Sequence, residues 1–189
     1  MRQIPTIVAL LFLGFAAGAD TVFPADTTDF FSPGLEYRLR VEPQPDELLF
    51  ILARKTRGEY VRLWSAYQRM SMFPTHGLIA ADGSFSVLLC GYVLQGGNDR
   101  VVVVLGPDGA LVRTIALTDL FQPSELPGIS TATHYNWLRS ASLAIHPKPV
   151  LRLSAGSFSR PTPSPGVIAP RNLALHFQIP LPSGSITRK

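Results

Sequence analysis

Residues 78–117 read LIAADGSFSVLLCGYVLQGGNDRVVVVLGPDGALVRTIAL. Apolar runs of strand length alternate in this stretch with short turns, and the pair Asp-Gly occurs in two of the turns, at 82–83 and 108–109. Asp-Gly between apolar runs indicates a β-hairpin, because glycine accepts the positive φ that a tight turn requires. The stretch therefore predicts strands over 84–92, 100–105 and 110–117, joined as antiparallel hairpins.

Strand patterns continue on both sides of this stretch, most clearly at 35–41, where apolar and polar residues alternate strictly. The other predicted strands lie at 48–54, 59–64, 142–145, 150–153 and 173–179. A helical turn is predicted at 118–122, capped by Thr118. The segment 66–72 fits either a short helix or a loop, and 133–140 fits either a short helix or an irregular connector. With about nine strands, the predicted class is all-β: meandering antiparallel sheets with little helix, arranged as a partial propeller-like stack or a β-sandwich.

The first nineteen residues have the form of a cleaved export signal. Arg2 supplies a positive charge, an apolar run covers 7–17, and Ala17-Gly18-Ala19 gives the small-x-small pattern of a cleavage site. The run is shorter than the roughly 20 residues that a spanning helix needs. We expect cleavage near Ala19, a secreted or periplasmic location, and no transmembrane segment in the mature chain.

The remaining 170 residues suit a single domain with its own core, since 46% of the chain is hydrophobic and only 16% is charged. We expect a main β-body over 20–156 and an exposed loop at 157–170, which holds four prolines. A strand at 171–181 then returns to the same domain, and 182–189 forms a frayed tail.

The repeated turns carry a resemblance to known proteins. Ala81-Asp-Gly83 and Pro107-Asp-Gly109, with Ser32-Pro33-Gly34 as a degenerate third copy, are similar to β-propeller-like Asp-Gly hairpin repeats in a loose group of uncharacterised secreted bacterial proteins. The resemblance spans roughly residues 30–145 and implies stacked blade-like sheets, without site residues. At roughly 40 residues per blade, four blades would use the whole mature chain. A partial stack or a two-sheet sandwich is therefore expected rather than a closed ring.

The sequence carries no signature of a cofactor or metal site, and we predict none. Its four histidines are far apart and its only cysteine, Cys90, lies among apolar neighbours, where we expect a buried core residue. Gly-x-Ser-x-Gly and the glycine-rich phosphate loops do not occur.

Positive charge is concentrated in one part of the chain. The net charge is +4, and only Glu59 opposes the cations of this cluster. The cations are Arg54, Lys55, Arg57, Arg62 and Arg69. The favoured interpretation is a solvated sheet edge that resists strand-to-strand aggregation; the alternative is a surface for an anionic membrane, a glycan or an acidic partner. Nucleic acid is not an expected partner of an exported protein.

The candidate binding residues lie in Thr133–Arg139. His134, Tyr135, Trp137 and Arg139 combine stacking surfaces with polar groups, as ligand sites do. The alternative is that the aromatic residues pack against the end of a sheet. The predicted function is a secreted, non-enzymatic binding or scaffolding domain whose ligand is unknown, with a protein, a glycan or an envelope component as partner. The alternative is a hydrolase whose site is assembled from scattered Asp, Glu and His residues.

Overall fold

The computed structural model describes residues 26–70, 73–94, 100–129, 134–145, 148–156 and 174–188. The predicted export signal, the glycine-rich turn at 95–99 and the proline-rich loop lie outside these ranges. The first nine strands are β1 (Thr28–Phe31), β2 (Tyr37–Pro43), β3 (Leu48–Thr56), β4 (Glu59–Gln68), β5 (His76–Ile79), β6 (Ser86–Leu89), β7 (Tyr92–Leu94), β8 (Val102–Leu105) and β9 (Leu111–Ile115). Then follow α1 (Leu117–Leu120), α2 (Leu126–Ile129), β10 (His134–Asn136), β11 (Leu138–Ala144), β12 (Val150–Gly156), β13 (Ala174–Pro180) and β14 (Thr187–Arg188).

The strands form three antiparallel four-stranded sheets that follow one another along the chain. The N-terminal sheet has the order β1-β2-β3-β4, the middle sheet β5-β6-β8-β9 and the C-terminal sheet β11-β12-β13-β14. A two-stranded ribbon pairs β7 with β10. The all-β class with little helix is therefore confirmed.

The three sheets are held together by two hydrophobic cores, one on each face of the middle sheet. One core joins the N-terminal sheet, through residues such as Leu39 and Phe50, to Leu88 and Val103 of the middle sheet. The other core joins the opposite face of the middle sheet to the C-terminal sheet and α1. The first strand of the middle sheet, β5, also contacts the first strands of both other sheets, β1 and β11.

The sequence explains why the middle sheet takes the central position. Its strands β6 and β8, SVLL and VVVL, are buried at every residue, whereas β2 of the N-terminal sheet alternates buried and half-buried residues. A continuous apolar strand needs cover on both faces, and an alternating strand needs it on one. Cys90, directly after β6, is fully buried as expected.

The two Asp-Gly turns form as predicted and contact the N-terminal sheet. Gly83 and Gly109 adopt φ values of 74° and 81°. A Cβ atom on Gly83 would lie 2.6 Å from Cε1 of Tyr37, and one on Gly109 would lie 2.7 Å from Cε3 of Trp64. The glycines therefore permit both the turn conformation and the close approach of an aromatic ring.

The structure corrects several local predictions. Helix α1 begins at Leu117, and the amide of Ala116 donates to the carboxylate of Asp119 at 2.8 Å, so Thr118 is not the cap. The sequence predicts a helix or a connector at 133–140, but the described residues of this segment other than Trp137 belong to β10 and β11. In the expected tail, Thr187–Arg188 pairs with β13.

Candidate functional site

The sequence-predicted binding residues are distributed over different environments. Trp137, between β10 and β11, is fully buried. Its Nε1 donates to the carbonyl of Cys90 at 2.7 Å, and its ring meets Phe121 edge-on with centroids 6.3 Å apart. Arg139 on β11 is exposed. His134 and Tyr135 lie on β10, and their side chains are outside the described part of the structure. The geometry of Trp137 corresponds to the packing alternative for this residue.

A different surface combines exposed apolar side chains with cations. Five of the seven exposed large hydrophobic residues described belong to the N-terminal sheet or its first turn: Phe31, Leu35, Val61, Leu63 and Tyr67. We call the last three, together with the exposed cations Lys55, Arg57 and Arg62, the β4 surface. It occupies strand β4 and the hairpin that leads into it.

A β-bulge explains why the alternating pattern of the sequence assigns Val61 and Trp64 to opposite faces of β4. The sequence predicts Val61 and Leu63 on one face of the strand and Trp64 on the other. In the structure the register shifts between Ala53–Arg62 and Leu52–Trp64, so Leu63 is the inserted residue. The insertion places Val61 and Trp64 on the same face. Trp64 is 9% exposed, whereas Val61 and Leu63 are 52% and 51% exposed.

Several cations of the N-terminal sheet have acidic partners nearby. Arg40 makes a bidentate ion pair with Asp29, at 2.9 and 3.0 Å, and Arg54 donates to Glu36 at 2.7 Å. The hydrogen bonds from Arg40 hold the pKa of Asp29 below its ordinary value of 3.8. The guanidinium of Arg38 lies 4.8 Å from the ring centroid of Tyr60 and 3.8 Å from Asp29.

The cations of the β4 surface differ from these. Among the described residues, Lys55, Arg57 and Arg62 form none of the observed ion pairs. Their charge is therefore available to a partner. Along the edge strand, Arg62 lies between the half-exposed Val61 and Leu63 in sequence, and Val61 is on the opposite face from Arg62. Positive charge interleaved with apolar side chains favours an anionic partner that also presents apolar groups.

The described residues contain no group of three His, Cys, Asp or Glu side chains that could hold a metal ion. A shallow, open depression of about 350 Å³ beside α1 is lined by Asp119, Phe177 and Arg188, among others. Its charged groups have partners: Asp119 accepts from the amide of Ala116, and Arg188 donates to Glu125, which lowers the pKa of that carboxyl. The hydrolase alternative stays a prediction.

Comparison with known proteins finds no matching family model, no similar curated protein and no similar solved structure. In the described ranges, the structure has no helix with the length and apolarity needed to cross a bilayer.

Proposed function

We propose that the protein is an exported binding module and that the β4 surface is its binding site for an anionic partner. The observation that carries the proposal is the composition of an edge strand. Charged groups alone would suffice to keep such an edge soluble. Val61, Leu63 and Tyr67 are instead more than half exposed on the same edge strand as Arg62, and Lys55, Arg57 and Arg62 have no ion pair among the described residues.

The energetics of this arrangement favour binding over simple solvation. A partner that covers half-exposed apolar side chains stabilises the complex by about 25 cal/mol per Å² of apolar surface buried. Lys55, Arg57 and Arg62 attract an anionic partner over a distance and raise its association rate at low salt. From sequence, the favoured interpretation of these cations is an edge that resists aggregation. Their arrangement also supports the alternative interpretation, a surface for an acidic partner.

The test measures binding of three anionic probes to the mature chain by isothermal titration calorimetry at low and high salt. The probes are heparin, phosphatidylglycerol vesicles and a blocked ten-residue peptide in which Glu alternates with Val. The test variant is Lys55→Gln with Arg62→Gln. Its matched control is Lys148→Gln with Arg152→Gln, which removes one exposed lysine and one exposed arginine from the C-terminal part of the chain.

We expect at least one probe to bind, with binding weakened about tenfold in the Lys55→Gln, Arg62→Gln variant, because each lost charge pair contributes up to about 1 kcal/mol. The control variant should bind as the unmodified protein does. Equal loss in both variants, or no binding of any probe, would refute the β4 surface as the site.

Export is tested separately: mass spectrometry of protein from its native host should find Asp20 at the N-terminus.

A further inference from the structure

We propose that β4 binds an extended, acidic segment of another protein as a fifth strand of the N-terminal sheet; this rests on the proposed function of the β4 surface. Among the described residues, β4 pairs with β3 on one side only. The strand has ten residues, which at 3.3 Å per residue is about 33 Å of unpaired backbone edge. A peptide strand can satisfy these N–H and C=O groups in a repeating register.

The hairpin identifies which amides are available. Arg57 and Gly58 both have positive φ, 53° and 94°, as a two-residue type I′ turn requires. Thr56 and Glu59 flank this turn and therefore form a hydrogen-bonded pair, and such pairs alternate with non-hydrogen-bonded ones along the hairpin. The amides of Tyr60 and Arg62 consequently point away from β3, toward the free edge.

The side chains next to these amides define the chemistry of the added strand. On the outer face, Arg62 has no ion pair among the described residues, so the neighbouring residue of the partner should be acidic. On the inner face, Val61 is 52% exposed and Trp64 belongs to the core, so the neighbouring residue there should be apolar. A segment in which acidic and apolar residues alternate meets both requirements.

A protein segment fits this edge better than the other anionic classes do. A glycan or a lipid headgroup can neutralise the cations, but neither presents amide donors and acceptors at the spacing of a strand. A second copy of the chain is disfavoured by charge, because antiparallel pairing of two β4 strands brings the hairpin cations, such as Arg57, toward Arg69 of the other copy. Like charges at such a pairing destabilise it.

The experiment uses the mature chain and the ten-residue peptide of alternating Glu and Val, followed by NMR amide hydrogen exchange. We expect the peptide to slow exchange at Tyr60 and Arg62 at least tenfold while leaving Glu59 and Val61, which already pair with β3, unchanged. The same peptide N-methylated at three consecutive central residues keeps its charge and side chains but loses strand pairing. It should bind at least tenfold more weakly.

A matched pair of variants tests the apolar contribution. Val61→Thr should weaken peptide binding roughly threefold, because it removes an apolar contact. Val112→Thr makes the same change on β9, at a residue that is 36% exposed, and should have no effect. Both variants should retain the unfolding midpoint of the unmodified protein, since both positions are exposed.

The outcomes separate the two proposals. Equal binding of the N-methylated peptide, or unchanged exchange at Tyr60 and Arg62, overturns strand addition. The β4 surface then still stands if probe binding depends on Lys55 and Arg62. Absence of binding by every anionic probe overturns both proposals. Concentration-dependent dimers in sedimentation, with Tyr60 and Arg62 protected in the absence of peptide, overturn the acidic segment in favour of a second copy.

Discussion

Replacement of Gly83 by Ala should destabilise the protein through two separable effects. Gly83 has a φ of 74°, and an L-residue pays roughly 1–2 kcal/mol in that conformation. In addition, the new Cβ would lie 2.6 Å from Cε1 of Tyr37, a ring that is 7% exposed and whose hydroxyl donates to the carbonyl of Asp82 at 3.2 Å. Forcing extra volume into such a packed contact costs about 1–3 kcal/mol.

Gly58→Ala provides the matched control, because Gly58 also has a positive φ but a Cβ there would meet no atom within 4 Å. We expect a loss of about 1–2 kcal/mol for Gly58→Ala and about 2–5 kcal/mol for Gly83→Ala. The free energy of unfolding is measured by urea denaturation, followed by the fluorescence of the two tryptophans. Two-state behaviour and an unchanged m-value are required for the comparison.

A double-mutant cycle then isolates the contact with Tyr37. In a Tyr37→Leu background, the cost of Gly83→Ala should fall toward that of Gly58→Ala, because the smaller side chain can yield to the new Cβ. Two results would contradict this prediction. Either Gly83→Ala and Gly58→Ala lower the free energy of unfolding equally in the unmodified protein, or the loss from Gly83→Ala persists in full in the Tyr37→Leu background. Each result would show that the turn does not pack tightly against the N-terminal sheet.

Two further predictions concern other contacts of the fold. Asp29→Asn should lower the free energy of unfolding by about 1 kcal/mol at pH 7. The pKa of Asp29 is depressed in the folded state, so its contribution is complete above 3.8, the ordinary value, and disappears as the pH falls through the lower folded-state pKa. The difference in stability between unmodified protein and variant should therefore narrow as the pH falls below 3.8, and a difference that does not narrow with falling pH in urea denaturation would contradict the ion pair as its cause. Trp137→Ala should cost about 3–5 kcal/mol and leave peptide binding by the folded fraction unchanged; weakened binding in titrations would instead support the segment at 134–139 as the binding site.

The hairpins were predictable from sequence because their determinants are local. Asp82-Gly83 and Asp108-Gly109 set the turns, and strict alternation at 35–41 identifies β2. The order of the sheets could also be inferred in part, since continuous apolar strands such as VVVL need cover on both faces. Strand β1, Thr28–Phe31, was not predicted, because four residues without strict alternation give too little periodic signal.

The candidate site was less predictable because its decisive features are not local. The bulge at Leu63 changes the face of every residue on one side of it, and no residue type in the strand marks that insertion. The exposure of Val61 depends on where the core below β4 ends. Trp137 illustrates the reverse case, since aromatic residues near polar groups resemble a ligand site in sequence whether they face solvent or the core.

The double cover of the middle sheet has a consequence for how the chain reaches its native state. Val87, Leu89, Val102 and Val104 are buried in the core shared with the C-terminal sheet, and that sheet is completed only by residues 174–188. A nascent chain that ends before β12 would present these side chains uncovered, on strands of high β-propensity. A chaperone that holds such a chain unfolded until its last strands are synthesised would protect it from aggregation.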